Sequence, residues 1–262
     1  MCIWCNDLFT NNVLQGDNYS SYRQGDHYWN HGYNGSTTIH GKVMHNTTIV
    51  YYTHNREIPS FEKKIQDTII EESKGIPIIS VSQKPIDFGK NICVGEQGAN
   101  SLNTWRQILI GCQAAETKFV CLAESDTLQH SSYFSYIPER DDTHYVIMPL
   151  FIVFAQRRKS QSYYRKNASD NHVIANRDCI IDKLKTMLEG LPEWQKESDY
   201  EKNPFSNSTV LSLKKEIVTL PVGIVTFKTD QNMHRKSTFH RGGIHEIPYW
   251  GPSRQLIGKY FS

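Results

Sequence analysis

The segment Lys118-Phe-Val-Cys-Leu-Ala-Glu-Ser-Asp126 constrains the chain most. Five apolar residues, Phe119 to Ala123, run directly into two carboxylates, Glu124 and Asp126. A short apolar run bounded by polar residues reads as a buried strand. A buried carboxylate is costly unless it is paired or holds a metal. Acids just past the end of such a strand therefore mark a candidate site, because open α/β sheets bind ligands in the crevice outside their strand ends. Two acids separated by one residue suit a hard divalent cation such as Mg²⁺ or Mn²⁺ carrying phosphates. The competing reading is a core strand followed by a polar turn, and the flanking sequence weighs between them.

Upstream, Thr47-Thr-Ile-Val-Tyr-Tyr-Thr53 is β-branched and aromatic throughout and predicts a strand ending at His54-Asn-Arg-Glu57. Pro59 stands where a helix can begin, Phe61, Ile65 and Ile69 follow at helical spacing, and Lys74-Gly75 is a stop signal. Ile76 to Ser82 is a second strand, so the unit is β-α-β with parallel strands and a right-handed crossover. Residues 83–95 are punctuated by Gly and Pro and predict a loop with no long element. Leu102, Trp105, Leu109, Cys112 and Ala115 share one face of a helix capped by Asn100 or Ser101. That helix leads into the acidic strand.

Downstream, residues 127–134 predict a short helix or turn. Tyr145 to Phe154 is the most apolar run; Pro149 should divide it into two short strands or kink an edge strand. Asn176 to Leu191 is amphipathic and predicts a helix, and Ile217 to Phe227 gives one or two strands. Residues 1–46 show no sustained period and read as an irregular, aromatic-bearing N-terminal arm, leaving 47–262 as a single domain. No internal repeat and no Walker A, GxGxxG, GxSxG or HExxH motif occurs.

Composition narrows the classes. The 262 residues allow one large domain with a sizeable core. A net charge of +2 makes no strong case for a polyanionic partner. No stretch approaches a membrane span, and the first residues lack a basic, then apolar, leader. A cytoplasmic location (host cytoplasm if viral) with reduced thiols is expected for the six cysteines. Cys2-x-x-Cys5 lacks a second such pair for zinc, and the five Asn-x-Ser/Thr sequons read as chance.

The stretches Val81-Ser-Gln-Lys-Pro85, Phe88-Gly-Lys-Asn91, Arg106-Gln107 and Phe119 to Asp126 resemble a family of GT-A type glycosyltransferases of bacteria and phages. The resemblance covers roughly residues 47–130. It implies an α/β, Rossmann-like GT-A fold: a mostly parallel central sheet flanked by helices, its nucleotide-binding half at 47–130 and an acceptor-side half at 131–262. The acidic motif of that family carries a third carboxylate where Ser125 stands here.

Carried onto this chain, the resemblance implies a metal-dependent hexosyl transfer from a nucleotide-diphosphate sugar, a UDP-sugar foremost. Thr53, Asn55, Arg56, Ser82 and Gln83 would border the nucleoside. Lys90, Arg106 and Gln107 would face the nucleotide or its phosphates. Asp126 would bind Mn²⁺ or Mg²⁺, with Glu124 as a second ligand or ribose contact and His240 or His245, backed by His234, as a further ligand. A divalent ion stabilises charge building on the departing diphosphate. An inverting enzyme also needs a base, for which Glu246, Asp141 and Asp142 are available; a retaining route stays equally open.

The segment 156–166 mixes five basic residues with two tyrosines. Arg157, Arg158 and Tyr163 could contact a nucleic-acid acceptor, such as an extruded hydroxymethylated base in phage DNA. A solvated charge run is the default alternative, with a glycan, small molecule or protein as acceptor. Two other classes compete: a nucleotidyltransferase, and a non-catalytic nucleic-acid-binding module using segment 156–166.

Overall fold

The computed structural model describes residues 36–39, 42–155, 161–196, 214–232 and 239–262. The elements run β1 (Ser36–Ile39), β2 (Lys42–His45), β3 (Thr47–Thr53), α1 (Pro59–Ser73), β4 (Ile78–Ser82), β5 (Lys90–Cys93), α2 (Ser101–Ala114), β6 (Phe119–Glu124), β7 (Thr127–Leu128), α3 (Ser131–Phe134), β8 (Thr143–Phe154), β9 (Tyr163–Lys166), β10 (Val173–Asn176), α4 (Arg177–Leu188), β11 (Lys214–Lys228), β12 (Phe239–Ile244), β13 (Glu246–Ile247), β14 (Gly251–Pro252) and α5 (Ser253–Phe261).

β3 is the axis, and all seven of its residues are buried. β4 and β6 pair with it in parallel on either side, and β5 extends the sheet beyond β4. A strand covered on both faces must be apolar on both. Ile49 and Tyr51 pack with Phe61, Ile65 and Ile69 of α1 and with Leu256 and Tyr260 of α5. Val50 and Tyr52 pack on the opposite face with Leu102 and Trp105 of α2 and Ile180 and Leu184 of α4. The fold is thus α/β with helices on both faces, as expected.

Beyond β6 the pairing turns antiparallel: β10 joins β6 to β8, β9 follows β8, and β12 follows β9. β11 runs parallel to β8 and also pairs with the short β7. One ten-stranded sheet therefore runs through the described residues from 47 onward.

Local chemistry explains the element ends. Lys74 takes a left-handed conformation at the end of α1 (φ 52°), followed by Gly75 (φ 88°). The Asn100 side chain accepts from Asn103 N and caps α2; Asn176 caps α4 in the same way.

Several elements differ from expectation. β8 is one interior strand, undivided at Pro149. That residue lies where the neighbour changes from β10 to β9 on one side and where β11 breaks register between Thr219 and Ile224 on the other, so its missing N–H costs no ladder bond. The stretch 217–227, expected as one or two strands, lies within the single strand β11 of 15 residues. The loop at 83–95 contains β5, a short edge strand too brief to show a period. α5 was not predicted, although Leu256, Ile257 and Tyr260 stand at helical spacing after Pro252. Within the expected irregular arm, Ser36–Ile39 and Lys42–His45 pair as a two-stranded antiparallel sheet; residues 1–35, 40 and 41 lie outside the described ones.

Among the described residues no helix is long and apolar enough to cross a membrane, and Cys93, Cys112, Cys121 and Cys179 are free thiols.

Two glycines test how tightly the layers fit. A Cβ on Gly111 of α2 would stand 2.4 Å from Val50 Cγ1, whereas one on Gly258 of α5 meets nothing within 4 Å. Gly258→Ala should stabilise the fold by about 0.5–1 kcal/mol, and Gly111→Ala should destabilise it by about 1–3 kcal/mol. Urea unfolding of both variants checks the opposite signs.

Candidate functional site

β3 and β6 end side by side, with Tyr52 opposite Glu124. The chains leaving them flank one cleft at the C-terminal edge of the parallel block. It is lined by residues 52–57 except Asn55, by Thr104 of α2, by 124–126, and by Gln231 and Asn232.

The last two come from the far end of the chain, and the pairing explains how. β11 runs antiparallel to β7, and Phe227 N donates to Asp126 O at 2.8 Å. The turn that follows is closed by Thr229 N donating to Asn232 Oδ1 at 2.9 Å. Asn232 Nδ2 then reaches Asp126 Oδ2 at 2.6 Å, Phe227 O at 2.9 Å and Glu57 Oε1 at 3.3 Å. Thr229 Oγ1 donates to the same Glu57 oxygen at 3.0 Å. One amide thus joins two carboxylates from opposite walls of the cleft. Asp126 Oδ1 accepts from Thr127 Oγ1 at 3.0 Å, while Glu57 Oε2 is buried and accepts no hydrogen bond.

Burial, then the Glu124 charge, pushes the Asp126 carboxyl up to about 6 against the opposing pull of the buried Lys228, the Thr127 hydroxyl and Lys166. Burial, then the charge of Asp126, pushes Glu57 up to about 7. Both oxygens of Glu124 accept from Asn171 Nδ2 at 3.0 Å, so the first acid of the pair is held from behind by the residue leading into β10.

His54 forms another wall. Gln83 Oε1 accepts from Gln97 N and Gly98 N, which leaves its Nε2 to face His54 Nδ1 at 2.9 Å. Thr104 Oγ1 donates to Asn100 O and so accepts from His54 Nε2 at 3.1 Å. The chain of bonds fixes the Nε2–H tautomer. Burial, together with the Arg56 charge, pulls the imidazole down to about 3. At neutral pH His54 is an uncharged ring with both nitrogens in use.

The structure gathers Arg56, Glu124 and Asp126 around this cleft with Thr53 at its floor. Several other expected residues brace it. Asn55, left-handed at φ 53°, accepts from Gln83 N and Lys84 N at 2.8 Å and ties the two strand exits together. Ser82 donates to Lys84 O. Gln107 donates to Thr53 O at 2.9 Å and Val81 O at 3.0 Å, bridging β3 and β4.

The remaining residues stand elsewhere. Arg106 donates to the carbonyls of Leu188, Leu191 and Pro192, closing the C-terminal end of α4 instead of facing a nucleotide. Lys90 pairs with Ile79, three residues and roughly 10 Å short of the cleft end of β4. Asp142 is exposed and bonded to Lys214. Its neighbour Asp141 pairs with Lys118 at the start of the acidic strand, about 20 Å from the acids by strand rise.

Tyr163 is buried in β9, donating to Gly251 O, so it presents no hydroxyl to an acceptor. Phe227, Val153 and Tyr163 are level on successive strands, so β9 lies three strands, roughly 14 Å, from Asp126. His245, whose Nδ1 contacts Ser162 Oγ at 3.3 Å, and the exposed Glu246 belong to that side of the sheet. The side chain of His240 and the residues His234, Arg157 and Arg158 lie outside the described ones.

Among the described residues no group of three or more His, Cys, Asp and Glu stands at ligand spacing. The cleft instead offers Asp126 and Glu57. That set fits a hard ion which keeps waters and takes one or two carboxylates plus substrate phosphates. The unpartnered Glu57 oxygen is the observation that favours it. Glu57 and Asn232 carry no sequence signal of their own: one sits in a polar strand exit, the other 106 residues beyond Asp126.

A carboxyl raised from 4.5 to about 7 is protonated in both folded and unfolded chains at low pH, and the folded state loses stability as pH climbs through that interval. Glu57→Gln should therefore stabilise the metal-free protein at pH 8 by on the order of 1–3 kcal/mol and give little gain at pH 4. Urea unfolding in EDTA at the two pH values checks this; an equal change at both contradicts it.

No family model matches the chain, and no curated protein matches it in sequence. Solved structures that resemble it include S. aureus TarS 1-349, at 10% identity over 70% of this chain and 60% of that one, with a TM-score of 0.40. TarS 1-349 in complex with UDP-GlcNAc gives 11% identity over 71% and 59%, with a TM-score of 0.42. HddC from Yersinia pseudotuberculosis gives 11% identity over 68% and 92%, with a TM-score of 0.40. The chain spans about 60% of the TarS 1-349 structures.

Proposed function

We propose that the chain is a GT-A type glycosyltransferase that moves a sugar from a nucleotide-diphosphate donor, a UDP-sugar foremost, to an acceptor hydroxyl. The observation that carries the reading is the pairing of Asp126 with Glu57 in a cleft at the C-terminal ends of the parallel strands β3 and β6. That edge is where open α/β sheets take ligands.

Asp126 and Glu57 would hold Mg²⁺ or Mn²⁺. When bound, the ion supplies electrostatic stabilisation of the charge that accumulates on the departing diphosphate. The protein's own groups divide the remaining work. His54 offers a neutral ring whose polar atoms are already committed, a surface suited to a flat uncharged base. Arg56, exposed at the cleft, supplies positive charge for phosphate oxygens. Asn55 and Gln107 keep the strand exits at fixed separation, so the cleft is preformed. Glu246 and Asp142 do not stand at the acids.

A panel of nucleotide sugars tested with Mn²⁺ by thermal melting decides the reading. A ligand at 100 times its Kd adds about 2.7 kcal/mol, which raises the midpoint of a chain this size by roughly 5–10 °C. Asp126→Asn should lose that shift and lower donor turnover by on the order of 100-fold or more, with its own fold retained. No shift with any nucleotide sugar, with or without Mn²⁺, overturns the proposal.

A further inference from the structure

Asn232 stands at the end of the turn after β11 and is 4% exposed. Its Oδ1 is taken by Thr229 N, which fixes the amide orientation and turns Nδ2 toward the cleft. From there Nδ2 meets Asp126 Oδ2 at 2.6 Å and Glu57 Oε1 at 3.3 Å. Two carboxylates that would otherwise repel are bridged by one donor group, and a second donor, Thr229 Oγ1, holds Glu57 on the same oxygen. Both bonds to Glu57 therefore fall on Oε1 and leave Oε2 uncommitted. A carboxylate oxygen accepts more than one bond, so Asp126 also retains capacity on the cleft side.

We propose that Asn232 is the positioning residue that holds Glu57 and Asp126 together as a paired oxygen seat for the divalent cation of the reaction. The inference rests on the proposed function and adds a residue that the acidic motif does not contain. Donors behind metal-binding carboxylates set their orientation, and losing one costs about 10–100-fold in metal affinity. Asn232 does this from the C-terminal part of the chain, where the sequence pointed instead to histidines.

The test is Mn²⁺ binding to the full chain, followed by the loss of the free-ion electron paramagnetic resonance signal, with UDP present. Asn232→Ala should weaken Mn²⁺ by about 10–100-fold. Asn232→Ser, which keeps a small polar group in the turn, should weaken it by about 10-fold. Melting in EDTA separates folding from binding: a merely structural role lowers the midpoint and leaves the Mn²⁺ affinity of the folded variant unchanged. Wild-type affinity in either folded variant overturns the role of Asn232 while leaving the proposed function standing. A wild-type chain that takes up no Mn²⁺ with UDP removes the cation from the proposed function itself, and this inference with it.

Discussion

β3 has no solvent face, and most of the architecture follows from that. Seven residues buried on both sides need apolar partners above and below, which α1 with α5 and α2 with α4 supply. Central strands of this kind pair in parallel through helical crossovers. Parallel strands of similar register end at the same edge. The polar exits of β3, β4 and β6 are thereby set beside one another, with His54 to Glu57 facing Glu124 to Asp126 across a narrow gap. The cleft is what remains where a two-sided core stops.

Carboxylates at such an edge are held chiefly by amides. Asn171 holds Glu124, Asn232 holds Asp126 and Glu57, and neither amide neutralises a charge. The buried lysines Lys166 and Lys228 moderate the potential around Asp126 without abolishing the upward push of burial. The region is therefore ordered while the carboxyls of Asp126 and Glu57 are pushed toward their neutral forms, a condition typical of functional sites. His54 is the counterpart: its network commits both nitrogens, and burial with the nearby Arg56 charge keeps the ring neutral.

Much of the parallel half was legible because its signals are local. The β-branched run at 47–53, the helical spacing of Phe61, Ile65 and Ile69, and the cap at Asn100 each act within a few residues, and each element formed where it was read. Site membership was legible only where it depended on the end of a strand, as for Asp126. Lys90 and Asp142 were misplaced because chemistry was read without register: Lys90 opens β5 opposite Ile79, and Asp142 precedes β8, where it is bonded to Lys214. Arg106 and Gln107 are adjacent on α2, yet one faces α4 and the other bridges the strands, about 100° apart on the helix. Glu57 and Asn232 became visible only once β7 had been paired with β11, a contact across about a hundred residues that no periodicity encodes.

That long-range pairing has a consequence for the order of assembly. β3 to β6 form a parallel block from residues close together in sequence, and its strand pairing can begin early during synthesis, before α4 and α5 complete its cover. The acids at its edge then wait for a turn encoded more than a hundred residues later. A ribosome-bound chain that has not yet emitted residue 232 can hold β3 to β6 and still lack both the amide that brings Glu57 to Asp126 and the α5 cover of one face. Chemistry and the last of the core cover thus arrive together, late in synthesis, and a product terminated before them would lack both.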